Sequence, residues 1–313
     1  MQTALGEGEG VVSSSPSNAT NAAAHVTIHA IPGSQYVAKV LLALDAFDVP
    51  HRVAFVPVKR SSRRLPGGGV LVPVLECGEE AVADSTAILR WLDDRRGTRC
   101  FPAGPLGDAV SAASERISEG FISAAVLYYN WIDPTGHRRS VRAALVKRVP
   151  WYLRCCAGFL VDVAVRGTRA ELSDQAVQRA ARDESVGSVA AARALFAPGN
   201  EPEVRAKLVR ELSWLQSLLK NPEDPERGYL FGGDEPTAAD FSAFALVERL
   251  VGTMGDADLQ PSSPSLTVEP SLGRLWAWRR CMLDRHPIRF KGKRTTARRV
   301  ERGEQGGVVL RRR

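Results

Sequence analysis

One residue that could act on a reacting atom is a serine at the end of a short run in which apolar and polar residues alternate. Ser34 follows Pro32 and Gly33, where the alternation of residues 25–31 gives way to helical spacing of apolar residues. The hydroxyl, the free N–H groups of a helix start and the positive end of the helix dipole can together stabilise a thiolate, whose usual pKa is about 8.5. The chemistry that this turn offers is activation of a bound thiol.

A proline inside an apolar run is the second feature. Pro73 lies within residues 70–75, which otherwise have the pattern of a buried strand, where proline removes a ladder hydrogen bond. Taken alone, the run favours a plain edge strand. The alternative is a cis Val72–Pro73 bond, which would let the N–H and C=O of Val72 pair with a peptide-like ligand as an added strand.

The third feature is Asp84-Ser85 at the start of an apolar helical pattern. This is an N-cap pattern, and the first-turn N–H groups at such a helix start can bind a carboxylate. Capping alone also explains the pair.

Other residue clusters do not indicate a reactive centre. His25 and His29 stand ~13 Å apart at ~3.3 Å per strand residue, too far to share a metal ion. The five cysteines form no C-x-x-C pair, so we expect reduced thiols, no metal, and Cys155-Cys156 as small buried residues in preference to a redox pair. The glycines at 67–69 lack the Lys-Ser/Thr of a phosphate-binding loop and are expected to form a flexible loop.

The elements that must position these residues fall into two groups. Residues 26–58 predict a β-α-β unit. After a basic, Gly-rich loop over 59–69, a strand over 71–76 turns back through 81–82 before the helix at 84. Beyond residue 100 the spacing becomes helical. The expected helices span 108–130, 138–165, 170–195, 202–220, 237–253 and 271–285. The predicted fold class is therefore α/β plus all-α, with domains over 25–97 and 108–288, a linker over 98–107, a disordered lead over 1–24 and a basic disordered tail over 289–313.

The charge of the chain is concentrated at its end. The sequence has 42 Lys and Arg against 35 Asp and Glu, for a net charge of +7. Residues 285–313 contribute eleven basic and two acidic side chains, which is +9, so residues 1–284 are near −2. We therefore expect no specific nucleic-acid binding, and at most weak contact of the 285–313 tail with polyanions or acidic membranes. No apolar run reaches the length of a bilayer span and no secretory signal is seen, so the expected location is cytoplasmic.

In this order the features resemble the glutathione transferase superfamily. Pro32-Gly33-Ser34, Val72-Pro73 and Asp84-Ser85 match its thioredoxin-like N-terminal domain, and Thr237 to Asp240 is similar to the capping box of its helical domain. The resemblance is weakest across 135–200. It implies a thioredoxin-like domain of the order β-α-β-α-β-β-α, with a helix between the second and third strands, followed by a helical bundle.

The resemblance also implies roles for individual residues. Ser34 would be the catalytic residue that holds the glutathione sulfur as a thiolate. Val72, before a cis Pro73, would pair with the cysteinyl backbone, and Asp84 and Ser85 would bind the γ-glutamyl end. The glycine carboxylate would fall to Lys59 or to the arginines at 60, 63 and 64, unless these four form a solvated loop.

The implied activity is conjugation of the glutathione thiolate to a small hydrophobic electrophile, as in a detoxifying, homodimeric, cytoplasmic transferase without a metal. Tyr128, Tyr129 and Trp131 would line an electrophile pocket or, as we favour, belong to the core. The Trp131-Ile132-Asp133-Pro134 segment and the basic stretch after it resemble the failed-axon-connections and metaxin branch. That likeness implies the alternative function, a non-catalytic, transferase-like binding or adaptor protein.

Overall fold

The computed structural model describes residues 25–31, 33–56, 72–146, 151–220, 228–254, 269–286, 298–302 and 308–312. In these ranges a mixed sheet is followed by a bundle of helices, which confirms the predicted fold class. The strands are β1 Val26–Ala30, β2 His51–Phe55, β3 Val74–Cys77, β4 Glu80–Ala83, β5 Arg298–Arg302 and β6 Val308–Arg312. The helices are α1 Gln35–Ala46, α2 Ser85–Arg96, α3 Pro105–Glu119, α4 Phe121–Leu127, α5 Pro134–His137, α6 Ala143–Val146, α7 Ala157–Ala181, α8 Val189–Leu195, α9 Glu201–Ser217, α10 Ala238–Met254 and α11 Gly273–Arg285.

The sheet has the strand order β4-β3-β1-β2-β6-β5. β1 runs parallel to β2 and antiparallel to β3, and β4 continues the sheet antiparallel to β3. Alternate residues of β1, namely Val26, Ile28 and Ala30, are fully buried, as expected for a strand with one face on the core. The predicted helix between the second and third strands falls on residues 57–71, outside the described residues.

Two short strands lie in the basic end of the chain. β5 and β6 form an antiparallel pair within 289–313, and β6 is hydrogen-bonded to β2 through the register Arg52 with Val309 and Val53 with Val308. An open edge of a sheet presents unpaired N–H and C=O groups, and β6 pairs with them at β2. The charge composition of these residues does not by itself predict this strand pairing.

The helical part differs in two places from the periodicity of the sequence. The helix predicted over 108–130 is interrupted at Gly120, whose Cβ, if present, would lie 2.3 Å from the carbonyl oxygen of Arg116. The helix predicted over 138–165 is instead a π-helical turn (Arg138–Arg142), the short α6, a 3₁₀ turn (Trp151–Cys156) and the start of α7. α7 passes through the break expected at 166–169, and the helix predicted over 170–195 is divided between the end of α7 and α8. A surface glycine at 167, with nothing within 4 Å of its Cβ position, weakens a helix by only about 1 kcal/mol and does not end it.

Helix α10 joins the two parts of the molecule. Residues 238–247 of this helix are all buried, and it packs against α1 of the sheet region and α3 of the bundle. The rings of Phe47 and Phe241 meet edge to face at 6.0 Å, and the Ala238 N–H donates to the carbonyl oxygen of Cys100 at 2.8 Å. Helix α1, which follows the first strand, is therefore held against a fixed helix of the bundle.

Candidate functional site

The register of the sheet brings two of the predicted segments side by side. Val74 pairs with His29 on β1 and with Ala83 on β4. Val72 and Ser85 each lie two residues beyond this paired row, past the last pair of β3 and β4. Neighbouring strands lie about 4.8 Å apart, so this row of three positions spans about 10 Å, comparable to an extended tripeptide.

The Val72–Pro73 peptide bond is cis, as the second alternative for the apolar run predicted. β3 begins at Val74, and Val72 belongs to no strand pair among the described residues. Its backbone is thus at the rim of the sheet. Pairing of this backbone with a ligand stays a prediction.

Ser34 lies in the turn that follows β1 and is the N-cap of α1. Its Oγ accepts a hydrogen bond from the Val37 N–H at 3.4 Å, and its side chain is partly exposed. A hydroxyl that accepts one bond keeps its own proton for another acceptor. Ser34 can therefore cap the helix and donate to a thiolate at the same time.

Asp84 is the N-cap of α2, as predicted, and has an unusual backbone. Its φ is +79° with ψ 132°, a conformation that costs an ordinary residue about 1–3 kcal/mol and that clusters at functional sites. Its Oδ1 accepts from the Thr86 N–H at 2.8 Å and from the Ala87 N–H at 3.0 Å. From the sequence, the first-turn N–H groups are candidate donors to a ligand carboxylate. Two of them, those of Thr86 and Ala87, bond Asp84 instead.

The helix start therefore offers two adjacent groups of opposite character. Asp84 is exposed and presents a carboxylate. Ser85 is 4% exposed and stands at the first helical position, where a backbone N–H has no intrahelical acceptor. The pair can bind an ammonium group and a carboxylate attached to one carbon.

Tyr36, the other hydroxyl near the first turn, is engaged elsewhere. Its hydroxyl donates to the Ser118 carbonyl oxygen at 3.3 Å and lies 3.0 Å from Ser123 Oγ, and the Arg179 guanidinium donates to it. These partners belong to α3, α4 and α7. Tyr36 links the sheet region to the bundle.

Two cations near the site, one partly buried and one fully buried, were not foreseen from the sequence. A Cβ on Gly33, which has φ +88°, would lie 3.7 Å from Arg249 Nη1, so this guanidinium of α10 rests against the turn that holds Ser34. Burial lowers the pKa of Arg249 to about 10, and the group stays cationic at neutral pH. No local pattern in the sequence predicts this contact, because it arises from the packing of α10 on α1.

The second cation is Lys39 of α1, which is 1% exposed. Its Nζ donates to Thr86 Oγ1 at 3.0 Å and to Ser114 Oγ at 3.4 Å, which ties the first turn of α2 to α1 and α3. Burial lowers the pKa of Lys39 to about 8, opposed by the nearby charge of Asp84. The helical spacing of the sequence did not identify this lysine as part of a functional site.

The remaining sequence predictions have varied outcomes. Lys59 and the three arginines after it lie outside the described residues. Tyr128 and Tyr129 are both 3% exposed, and burial raises the pKa of Tyr128 to about 12, which confirms them as core aromatics. The prediction that Cys155 and Cys156 are buried is wrong, since Cys155 is exposed and Cys156 partly so, because their 3₁₀ turn faces outward.

Within the described ranges, none of the helices combines the length and apolarity needed to span a bilayer. The same residues contain no group of three or more His, Cys, Asp or Glu side chains placed to hold a metal ion.

Comparisons with known proteins match both halves of the chain. Residues 28–100 match the family model "Glutathione S-transferase, N-terminal domain", and residues 174–281 match "Glutathione S-transferase, C-terminal domain". A comparison with curated protein sequences gives no match.

Among solved structures, the beta-etherase LigF from Sphingobium sp. strain SYK-6 has a TM-score of 0.51 at 17% identity, covering 82% of this chain and 94% of its own. A diazinon-metabolizing glutathione S-transferase of the silkworm Bombyx mori has a TM-score of 0.46 at 13% identity, covering 84% and 92%. A glutathione transferase homolog of Drosophila mojavensis, with bound glutathione, has a TM-score of 0.40 at 17% identity, covering 83% and 88%. At such identities the likeness to the first of these supports the fold alone.

Proposed function

Because this chain belongs to the glutathione S-transferase superfamily, we propose that it binds glutathione along the sheet edge and transfers its thiolate to a small hydrophobic electrophile. The observation that carries the proposal is that β3 pairs with β4 up to Val74 and Ala83, so Val72 and Ser85 both lie two residues beyond that last pair, while the turn that holds Ser34 follows β1, the other neighbour of β3. Glutathione is an extended tripeptide with a zwitterionic γ-glutamyl end, a cysteine in the middle and a carboxylate at the other end. Each of these parts has a chemical counterpart in the residues at the ends of these strands.

The γ-glutamyl end meets the start of α2. Its carboxylate accepts from the N–H and hydroxyl of Ser85, and its ammonium group donates to the exposed carboxylate of Asp84. Asp84 Oδ1 already accepts two backbone N–H groups, so the other oxygen, Oδ2, faces the ammonium. Charge-assisted bonds of this kind are about twice as strong as neutral ones.

The cysteinyl part lies along Val72, whose N–H and C=O pair with the ligand backbone as in an added strand. Pro73 has no backbone N–H and cannot donate a hydrogen bond to a neighbouring strand, so the strand pairing ends here. The ligand backbone then pairs with Val72. The glycine carboxylate is assigned to the basic group of Lys59 and the arginines at 60, 63 and 64, which lie outside the described residues.

The sulfur then lies at the first turn. The Ser34 hydroxyl donates to the thiolate, while the helix start and the Arg249 guanidinium add positive potential. The thiolate attacks the electrophilic carbon, a C–S bond forms, and the leaving group departs with its electron pair. Positioning and thiolate stabilisation supply the catalysis.

The experiment is a pair of measurements on the full chain. Glutathione at 100 times its dissociation constant should stabilise the native state by ~2.7 kcal/mol, seen as a rise in melting temperature, and S-methylglutathione should do the same without reacting. Conjugation to 1-chloro-2,4-dinitrobenzene, with chloride released, tests the transfer itself. Absence of stabilisation by either peptide would refute the proposal. Stabilisation without conjugation of any electrophile would leave the binding or adaptor function.

A further inference from the structure

A patch of large apolar side chains is exposed around the start of α7. Six of the eight exposed large apolar side chains among the described residues lie within thirteen positions: Trp151, Tyr152, Leu153, Phe159, Leu160 and Val163. Trp151 is 78% exposed and Phe159 is 69% exposed. We call this surface the 151–163 face. It falls in the part of the chain that neither family model matches.

The side chains of this face are grouped on one side. At ~100° per residue, Phe159, Val163 and Leu160 lie within a ~100° arc of α7. The 3₁₀ turn before α7 packs against it and carries Trp151 and Tyr152, whose rings meet edge to face at 6.0 Å. Scattered exposed apolar residues need no explanation, but a contiguous patch of this kind marks an interaction surface.

The sequence on both sides of the face is basic. Residues 138–169 contain eight Lys and Arg and one acidic residue, Asp162, although residues 1–284 as a whole are near −2. Asp162 is paired with Arg142, whose Nε lies 3.2 Å from Asp162 Oδ1. The Arg142 guanidinium also lies over Gly158, along one border of the apolar arc. Arg166 is exposed one turn beyond Val163.

We propose that the 151–163 face binds the surface of an anionic lipid bilayer. An apolar strip with aromatic side chains and a basic border inserts into the boundary between acyl chains and headgroups, while the cations attract acidic lipids. Trp and Tyr are also the side chains that favour this boundary. A second copy of the chain fits less well, because a two-fold contact would bring two basic borders together. The binding is independent of glutathione.

The test is sedimentation of the full chain with vesicles at about 0.1 M salt. Vesicles of 30% phosphatidylserine in phosphatidylcholine should bind the protein, and pure phosphatidylcholine vesicles should bind it at least tenfold more weakly. The double variant Trp151→Ser, Phe159→Ser should lose at least tenfold in partition to the anionic vesicles. Phe55→Ser is the matched control: it removes an aromatic that is 56% exposed on β2, and it should bind as the wild type does.

Two further measurements separate the face from other sources of binding. Brominated lipid should quench the Trp151 fluorescence of the wild type, and Trp151→Phe should keep the binding while losing most of that quenching. Deletion of residues 291–313 should leave vesicle binding by the face in place. The proposal is overturned if the wild type ignores anionic vesicles, or if the double variant, with an unchanged melting temperature, binds them equally well. It is also overturned if the double variant changes only the oligomeric state, which would make the face a contact between copies.

Discussion

Ser34 has two hydrogen-bonding tasks that a single hydroxyl can perform together, since its Oγ accepts from Val37 while its proton remains for a bound sulfur. In Ser34→Ala we expect little change in glutathione affinity, because the contacts at Val72 and Ser85 persist. The pKa of the bound thiol should rise, and loss of a charge-assisted bond of ~1.5–3 kcal/mol should lower turnover by one to two orders of magnitude. The measurement is thiolate absorbance and conjugation rate against pH.

Tyr36→Phe is the control for this prediction. The Tyr36 hydroxyl bonds Ser123 and Arg179 in the bundle, so its removal should lower the melting temperature more than it changes the thiol pKa. Loss of activity in Tyr36→Phe, with activity kept in Ser34→Ala, would show that Tyr36, and not Ser34, stabilises the sulfur.

Arg249 adds a second prediction at the residue scale. Its guanidinium lies against Gly33, so replacing it with methionine removes a positive charge beside the proposed sulfur position. We expect the pKa of bound glutathione in Arg249→Met to rise while that of free glutathione is unchanged, and Arg249→Lys to restore part of the shift. A pKa equal to that of the wild type in both variants would show that Arg249 serves packing alone.

At the scale of elements, Lys39 holds α1, α2 and α3 together at an electrostatic cost. Its folded pKa of about 8 lies below the ordinary value of 10.5, so the unfolded chain binds more protons between these pH values and stability rises with pH there. The buried charge costs about 3 kcal/mol below pH 8. Relative to Lys39→Met, the wild type should gain stability from pH 8 to 10.5, as measured by urea unfolding.

Lys207 is the matched control for Lys39. It is also buried, but its Nζ lies 2.8 Å from Asp183 Oδ1. Lys207→Met should therefore destabilise the protein at neutral pH, because it leaves a carboxylate without its cation. A wild-type to Lys39→Met difference that does not vary with pH would contradict the buried-charge account.

The start of α10 depends on one buried carboxylate. Asp240 accepts from the Leu230 N–H at 2.8 Å, from the Thr237 N–H at 2.9 Å and from the Thr237 hydroxyl at 2.8 Å. Asp240→Ala would leave these buried donors without an acceptor, and we expect a loss of about 2–4 kcal/mol in unfolding free energy. Asp240→Asn keeps one acceptor oxygen and should lose less. Equal losses in the two variants would show that volume, not hydrogen bonding, matters here.

At the scale of the whole molecule, charge is divided between a nearly neutral body and a basic end. Because residues 285–313 carry +9, binding of a soluble polyanion such as polyphosphate should fall steeply with salt and should disappear on deletion of residues 291–313. The deletion removes β5 and β6 but leaves the order β4-β3-β1-β2, so we expect the circular dichroism of the bundle to be unchanged. Binding that survives the deletion or ignores salt would indicate a specific anion site in the body.

The sequence by itself determined the features that depend on neighbouring residues. Alternation and helical spacing predicted β1, α1 and the buried face of α9, and cap chemistry placed Asp84 before α2. Proline chemistry raised the cis Val72–Pro73 bond as an alternative, and the tertiary structure decided for it. Such signals are readable because turns, caps and periodic faces are set by residues within one or two helical turns of each other.

Only the tertiary structure decided the features that depend on distant elements. Lys39 becomes a buried cation, and Arg249 a partly buried one, beside the site because α3 and α10 pack onto α1. In the same way, β6 pairs with β2 although most of the chain separates them in sequence. The exposure of the 151–163 face follows from the way α7 packs, since an apolar run looks the same in sequence whether a neighbour covers it or not. Periodicity records which side chains share a face, and packing decides what that face meets.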